Sequence, residues 1–312
     1  MLLIADSGST KTDWRLVNEE GATVRTIQSK GLNPYFLSEA EIASTIEEEV
    51  LPQLAQVDKV WFYGAGCGLP AKVQQVQAAI ASVIPCPLPP EVNGDMLGAA
   101  RSLFQHQPGI ACILGTGANS CVYEQGQIID NVPSLGYILA DWGSGTVLCK
   151  DLIALILQEK IDEGIRSDFY RNYQLDRREI LDNIYNKPMA NTFLASFTPF
   201  LLKHAEHPAC RTIILDNFRK FFDYYVLRYE QYHQGVKVSF VGSIAYHFRE
   251  YMEIVAAELH IQIGDIVKNP MEGLVKYHSS GSVKWKEENE RPEREVGSGK
   301  WEVGRSETGK YS

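Results

Sequence analysis

Leu2-Leu3-Ile4-Ala5-Asp6-Ser7-Gly8-Ser9-Thr10-Lys11-Thr12-Asp13-Trp14-Arg15-Leu16-Val17 decides how the rest of the chain is read. Four apolar residues end in an aspartate, a short polar loop follows, and a second strand pattern leaves it. Gly8 opens backbone conformations closed to other residues, and small neighbours let main-chain N–H groups converge on one concavity. Ser9, Thr10 and Thr12 add hydroxyls and Lys11 a positive charge, which is the chemistry of a phosphate cradle. Asp6, at the strand end, is a hard oxygen ligand of the kind magnesium takes, often through water. A plain polar hairpin turn reads the same way, and this stretch alone does not separate the two.

A second copy separates them. Ile110-Ala111-Cys112-Ile113-Leu114-Gly115-Thr116-Gly117-Ala118-Asn119-Ser120-Cys121-Val122-Tyr123 again runs strand, Gly/Thr loop, strand. Each copy then turns at an acidic, glycine-ended corner (Glu19-Glu20-Gly21 and Glu124-Gln125-Gly126) into a third strand. Two three-stranded meanders, each opening on a phosphate-type turn, imply an internal duplication. Two such loops across one cleft would grip a polyphosphate from both sides.

The 312 residues leave room for two domains, and 45% apolar with 22% charged residues is a soluble globular composition. A net charge of −9 argues against a nucleic-acid or anionic-membrane surface. No apolar run approaches the roughly 18 residues of a membrane span. Met1 leads straight into a strand pattern, so no secretory signal is read, and a cytoplasmic location is expected. The six cysteines are scattered without a C-x-x-C pair and read as buried free thiols.

Further along, Ser38-Glu39-Ala40-Glu41 is a capping box ahead of an apolar helix stripe at Ile42, Ile46 and Val50. Val57 to Tyr63 reads as a strand closed by Gly64-Ala65-Gly66-Cys67-Gly68, and Pro70 opens a helix to Val83. Cys86 to Leu88 reads as a short strand hemmed by prolines, and Asn93-Gly94-Asp95 precedes a helix to about Phe104. The second half repeats this plan: an apolar helix from Thr146 to Gln158, a mainly helical stretch to His233, a buried strand at 236–241 ending in Gly242-Ser243, and a last strand at 262–267. The pattern predicts an α/β fold of two mixed sheets covered by helices. Residues 1–108 form one expected domain, with a helix at 269–280 packing back on it. Residues 109–268 form the other, with a helical insertion at about 160–233. Residues 281–312, charged and poor in apolar side chains, read as a disordered tail or an artificial extension.

Asp95 is a helix N-cap on one reading and a general base at a strand's carboxyl end on the other; the second is favoured, since nothing else is better placed to take a proton from a substrate hydroxyl. Asp141, in Asp141-Trp142-Gly143-Ser144-Gly145, is an N-cap or a contact to sugar hydroxyls or to the metal's water shell. Gly242-Ser243 is a strand-to-helix turn where a ribose or adenine could approach the backbone. Asn33 sits in a turn and becomes a sugar contact only through the fold. His204, His207 and Cys210 imitate a metal site, but Pro208 interrupts the helix and favours packing roles.

These motifs together resemble the sugar-kinase/actin/heat-shock ATPase superfamily and, within it, the N-acetylglucosamine kinase group and the wider BadF/BadG-type ATPase family. Asp6 to Thr12 resembles its first phosphate motif and Leu114 to Ser120 its second. Asn93-Gly94-Asp95 falls where that group carries its catalytic aspartate. Leu135-Gly136-Tyr137 through Gly145 resembles its glycine-rich segment with a sugar-binding aspartate, Gly242-Ser243 its adenosine motif, and Asn269-Pro270-Met271-Glu272-Gly273 its closing helix. The likeness covers about residues 1–280. It implies duplicated ribonuclease H-like (actin-like ATPase) domains, each a mixed five-stranded sheet, flanking a nucleotide cleft. Ser7, Gly8, Ser9, Thr10, Lys11, Thr12, Gly115, Thr116, Gly117, Gly242 and Ser243 would then hold ATP, Asp6 would hold Mg²⁺, and Asn33, Gly66 and Asp141 would contact sugar. The chain departs from the group at Trp142, where an acid is usual. It also lacks the zinc-binding cysteine cluster of ROK-type kinases.

The expectation is therefore an ATP-dependent kinase acting on the primary hydroxyl of an amino sugar, foremost N-acetylglucosamine, with Asp95 as base. The alternative is a BadF-type nucleotide-driven activator of a partner enzyme, a class that holds an iron–sulfur cluster; Cys67 is its single echo here. A sugar sensor without turnover is a third reading, disfavoured by retention of both loops and Asp95. Expected partners are a small sugar, with no nucleic acid and no membrane; assembly as a homodimer is left open.

Overall fold

The opening stretch forms β1 (Leu2–Ser7) and β2 (Lys11–Val17), and β3 (Thr23–Lys30) completes the meander. The register pairs Ser7 with Thr12 and Asp6 with Asp13, so the hairpin turns between Ser7 and Thr12. The structure, a computed structural model, describes residues 1–8 and 10–279; Ser9 and the expected tail at 281–312 lie outside the described residues. After α1 (Glu39–Glu49) come β4 (Lys59–Gly64), α2 (Pro70–Val83), β5 (Glu91–Gly94) and α3 (Asp95–Phe104). Both halves of the Ser38/Glu41 capping box are present at α1, and Pro70 occupies the first turn of α2.

The second meander is β6 (Gly109–Leu114), β7 (Ala118–Glu124) and β8 (Gln127–Asn131). It is followed by α4 (Gly136–Leu139) and α5 (Gly145–Leu157). The helical stretch then resolves into α6 (Glu163–Tyr173), α7 (Arg177–Tyr185), α8 (Ala190–Ala195), α9 (Thr198–Lys203), α10 (Pro208–Tyr225) and α11 (Glu230–His233). The chain returns through β9 (Val238–Val241), α12 (Ser243–His247), α13 (Arg249–Glu258), β10 (Ile263–Val267) and a helix over 271–279, α14.

The sheets have orders β3-β2-β1-β4-β5 and β8-β7-β6-β9-β10, the same plan element for element. In each, the meander is antiparallel and the two later strands run parallel to the first. This is the duplicated architecture expected. One expectation needs correction: the strand before Asp95 is Glu91–Gly94, not Cys86–Leu88. Pro85, Pro87, Pro89 and Pro90 have no N–H to offer a ladder, so pairing with β4 begins only past them.

Helices α1 and α2 cover one face of the first sheet through Ile42, Ile46, Val76, Ala79 and Ile80. Its other face, with Ile4, Val17 and Tyr63, is closed by Met271 and Leu274 of α14. Each of these two side chains is fully buried, worth about 1.5–3 kcal/mol. Helix α3 lies between the two sheets. Gly98 lets it approach Tyr63, whose Cβ would stand 2.9 Å from an added Cβ. Met96, Ala99, Ala100 and Phe104 cluster with Ala111, Cys121, Tyr123 and Val241 of the second sheet. The far face of that sheet packs on α5, α10 and α13 in a core rich in Phe218, Phe221, Phe222 and Tyr225. All six cysteines are free, and five are buried. Among the described residues no helix is long and apolar enough to cross a membrane.

A buried polar relay joins α3, α14 and the first sheet. Arg101 donates to Tyr63 Oη at 2.8 Å, and that hydroxyl meets His278 Nε2 at 2.9 Å. The tyrosine, with its oxygen already accepting from Arg101, gives its proton to the imidazole. Burial, then the charges of Arg101 and Lys59, hold His278 down to a pKa of about 3. The folded imidazole stays neutral while the unfolded one gains a proton below its ordinary pKa near 6.5, so stability is lost as pH falls through that window. From this group alone the loss between pH 7 and 4.5 is about 2–3 kcal/mol. His278→Gln, compared with the parent chain by urea unfolding at the two pH values, is expected to flatten that slope. An unchanged slope would assign it to other groups.

Candidate active site

The first turn is held together by its own hydroxyls. Leu32 N–H donates to Ser7 Oγ at 3.0 Å, Ser7 Oγ and Thr12 Oγ1 lie 2.8 Å apart, and Thr12 Oγ1 donates to the Lys30 carbonyl at 2.9 Å. Because the Thr12 proton goes to Lys30, Ser7 must donate to Thr12, and the four groups form one directed chain. Ser7 and Thr12 are buried, so these two hydroxyls brace the loop. Thr10 remains exposed, while Gly8 N–H closes the turn on the Lys11 carbonyl at 2.9 Å. Thr12→Val cuts the chain, leaving the Ser7 hydroxyl only the long contact to the Gly8 carbonyl and the Lys30 carbonyl only Ser29 Oγ; we expect a loss of about 1 kcal/mol in urea unfolding, with ADP affinity retained. Weakened ADP binding at unchanged stability would instead make this hydroxyl a phosphate ligand.

Lys11 is drawn to Asp13, Nζ to Oδ2 at 2.8 Å, and Gln28 donates to the other oxygen at 2.8 Å. Burial pushes the Asp13 carboxyl up, but these two hydrogen bonds together with the charges of Lys11 and Arg15 outweigh it, and its pKa is lowered. Asp13 was missed in the sequence. Its signal is position: the hairpin register sets it directly opposite Asp6. Asp6 has no such relief. Burial, then the charges of Asp95 and Asp13, raise its pKa to about 7 against the opposing pull of Lys11.

Asp95 opens α3 at the carboxyl end of β5. Strand β4 separates it from β1, with Ser7, Gly64 and Gly94 in one row of the parallel ladder. At the usual strand spacing the main chains at Asp6 and Asp95 stand roughly 10 Å apart, with both carboxyls at the strands' carboxyl ends. Asp95 Oδ1 accepts from Met96 N–H at 2.9 Å, and burial raises its pKa. The N-cap role belongs to Gly94, so Asp95 is the first helical residue.

Asn33 and Gly66 meet. Gly66, at φ +85°, leaves only 2.5 Å between an added Cβ and Asn33 Oδ1, which also accepts from Tyr35 N–H at 3.0 Å. The loop continues through Cys67, whose carbonyl would stand 3.4 Å from a Cβ on Gly94. Asn33, Gly66 and Asp95 therefore border one corner. Cys67 is packed beside Phe62 and Gly64, and burial, then the Asp95 charge, push its thiol up to about 12.

In the second half, Gly145 N–H reaches the Gly115 carbonyl at 2.9 Å and Thr146 Oγ1 donates to the Thr116 carbonyl at 2.6 Å. The start of α5 thus fixes the Gly115-Thr116-Gly117 loop. Asp141, held at φ +55° with its N–H on Tyr225 Oη at 3.0 Å, lies against Gly117. Its carboxylate accepts from Ala118 N–H, while burial raises its pKa to about 6. Asp141 Oδ1 is buried and has no partner among the described residues. Gly242 joins the same group at φ +130°, where an added Cβ would be 2.1 Å from the Leu114 carbonyl oxygen. Gly115, Thr116, Gly117, Asp141, Gly242 and Ser243 are thereby gathered at the end of β6.

Helix α3 relates the two halves. It starts with Asp95 at the carboxyl end of β5, and Phe104 near its far end packs on Gly109, the first residue of β6. It therefore runs opposite to β6, and both turns lie toward the end of α3 that carries Asp95. Magnesium takes one or two carboxylates, with water and phosphate oxygens completing its shell. Asp6, half-buried in like-charged company, gains from a nearby cation, so these residues fit the ion. Among the described residues no group of three or more His, Cys, Asp or Glu side chains could hold a metal. His204 bonds Asp168 at 2.8 Å, and Cys210 is buried in the core.

No protein-family model matches the chain, and no curated protein matches it. Solved structures do. A Porphyromonas gingivalis protein, named as a putative N-acetylglucosamine kinase, is 40% identical at TM-score 0.84, over 90% of this chain and 99% of that one. A Chromobacterium violaceum protein of the same name is 15% identical at TM-score 0.68, over 88% and 98%. A ROK family glucokinase from Streptomyces griseus, solved with glucose and AMPPNP, is 12% identical at TM-score 0.52, over 88% and 97%. The last two likenesses are of fold alone. On the first, together with the duplicated sheets and paired loops, the chain belongs to the N-acetylglucosamine kinase-like branch of the BadF/BadG-type ATPase family, within the actin/sugar-kinase/heat-shock ATPase superfamily.

Proposed function

We propose that the protein is an ATP-dependent sugar kinase that phosphorylates the primary hydroxyl of an amino sugar, N-acetylglucosamine, to give its 6-phosphate. The observation that carries this reading is Asp95: a half-buried carboxylate at the ends of parallel strands, beside Asp6 and bordering the Asn33–Gly66 corner. The amino-sugar substrate follows the name of the 40% identical relative.

In this mechanism Asp95 orients the sugar hydroxyl and takes its proton as the oxygen attacks the γ-phosphorus, whose bond to the β,γ-bridging oxygen breaks to release ADP. A raised pKa makes its carboxylate a stronger base than an ordinary aspartate. The turns that follow β1 and β6 hold the phosphates from the two halves, through main-chain N–H groups other than those of Gly8 and Gly115, which bond the Lys11 and Gly117 carbonyls. Asp141 fixes the second turn through Ala118 and keeps Oδ1 for a sugar hydroxyl. Asp6 would hold Mg²⁺, which when bound neutralises charge on the phosphate oxygens. Residues 1–108 with α14 and residues 109–268 act as the two lobes, closing on sugar and ATP to exclude water. Six free cysteines suit a reducing compartment, and we place the activity in the cytoplasm.

A coupled assay of ADP release over a panel of free sugars tests the proposal. Release that depends on sugar and is fastest with N-acetylglucosamine is expected. ADP release indifferent to every sugar would overturn it in favour of an activator ATPase.

A further inference from the structure

The segment that leads to Asp141 is tethered at both ends by tyrosines from the end of the helical stretch. Val132 N–H donates to Tyr229 Oη at 3.0 Å, and Asp141 N–H donates to Tyr225 Oη at 3.0 Å. Between the tethers the chain swings outward, with Leu135, Ile138 and Leu139 all more than half exposed. Asp141 is where it re-enters the second half, and it does so at φ +55°, a left-handed conformation that residues with a side chain seldom hold.

Tyr225 is a rigid support. It is the last residue of α10, buried, and stacked on Phe221 with ring centroids 5.1 Å apart and planes within 8°. Its carbonyl accepts from Ser120 Oγ of β7 at 2.7 Å. One residue is thus fixed to β7 by its main chain and to Asp141 by its hydroxyl. The Asp141 carbonyl is engaged as well, accepting from Ser144 N–H at 3.0 Å. Gly143 rests directly on α10, where an added Cβ would stand 3.1 Å from Phe221 Cβ. Against this fixed main chain, Asp141 Oδ1 is buried with no partner among the described residues. A buried acceptor left unpaired on a backbone held so firmly is set for a ligand's donor.

We propose that Tyr225 is the positioning residue for Asp141: its hydroxyl holds the left-handed main chain so that Oδ1 meets the sugar at a fixed place. The inference rests on the kinase reading for Asp141 as a sugar contact, and it deepens that reading by naming what sets the contact. Without the hydroxyl, the Asp141 N–H loses its buried partner and the carboxylate must be reordered each time a sugar binds. The phosphate turn keeps its own supports, Gly145 N–H on the Gly115 carbonyl and Thr146 Oγ1 on the Thr116 carbonyl. The loss therefore falls on sugar and spares nucleotide.

Calorimetric titration with N-acetylglucosamine and with ADP, joined to steady-state kinetics, tests it in the parent, Tyr225→Phe, Asp141→Gly and the double variant. Glycine removes the carboxylate and holds a positive φ without strain, so the tyrosine has nothing left to position. Tyr225→Phe is expected to weaken N-acetylglucosamine about tenfold and raise its KM alike, with kcat and ADP affinity as in the parent. In the Asp141→Gly background the same substitution leaves kcat/KM for the sugar unchanged. Parent-like sugar affinity in Tyr225→Phe, an equal loss of ADP, or a second tenfold loss on top of Asp141→Gly would overturn the proposal. An Asp141→Gly protein that binds sugar as the parent does removes the contact and its support together. A parent that binds N-acetylglucosamine but transfers no phosphate removes the kinase reading alone, and the sugar affinity of Tyr225→Phe then decides the positioning role. A parent that binds no sugar of the panel removes both.

Discussion

Asp95→Asn is expected to lower sugar-dependent ADP formation by about 10²–10⁴-fold, the range a positioned general base contributes. The amide keeps an oxygen for Met96 N–H, the contact that holds the side chain at 2.9 Å, so α3 still begins where it does. What disappears is the basic lone pair and a negative charge. Loss of the charge has a second readable effect, because Asp95 is the largest ionic contribution to the raised pKa of Asp6. With a neutral neighbour, Asp6 gives up its proton more readily. Single-turnover rates should therefore collapse while ADP titration gives parent-like affinity. A fully active variant would remove Asp95 from the chemistry; an inactive variant that has also lost ADP would report a damaged cleft.

Gly242→Ala is expected to cost about 3 kcal/mol or more in stability and to abolish measurable ADP binding. Two penalties add: a backbone conformation L side chains rarely adopt, and a methyl forced 2.1 Å from the Leu114 carbonyl oxygen. The obstacle is main chain at a strand end and cannot swing aside as a flexible side chain would. Relief requires β6 or α12 to shift, carrying the turn at 115–117 with it. Gly68→Ala is the matched control, since an added Cβ there meets nothing within 4 Å and should be near neutral. Thermal melts with ADP titration check both, and a Gly242→Ala protein as stable as the control would refute the close approach.

Much of this was legible in the chain because its signals were local and repeated. The capping box at Ser38, Pro70 and the paired Gly/Thr turns each state a backbone geometry within a few residues, and the duplicated meander supplied the sheet order. The turn residues show less: Ser7 and Thr12 have the composition of phosphate donors, and only the fold reveals that their hydroxyls also bond the Leu32 N–H and the Lys30 carbonyl, partners that the third strand brings near. The strand before Asp95 was misplaced because an apolar run between prolines looks extended, while pairing also needs N–H groups.

The closure of the first sheet by α14 reverses the order of synthesis and completion. Ile4, Val17 and Tyr63 leave the ribosome early, yet Met271 and Leu274, which shield them from water, are translated after the whole second half. Until then the nascent first sheet has an uncovered apolar face, the kind of surface that recruits chaperones or sticks to another chain. Its native lid is a contact of extreme sequence separation, which slows folding through the entropy of closing so long a loop. A chain halted before residue 271 would therefore carry every residue of the first turn and still be unable to bury the back of the sheet that supports it.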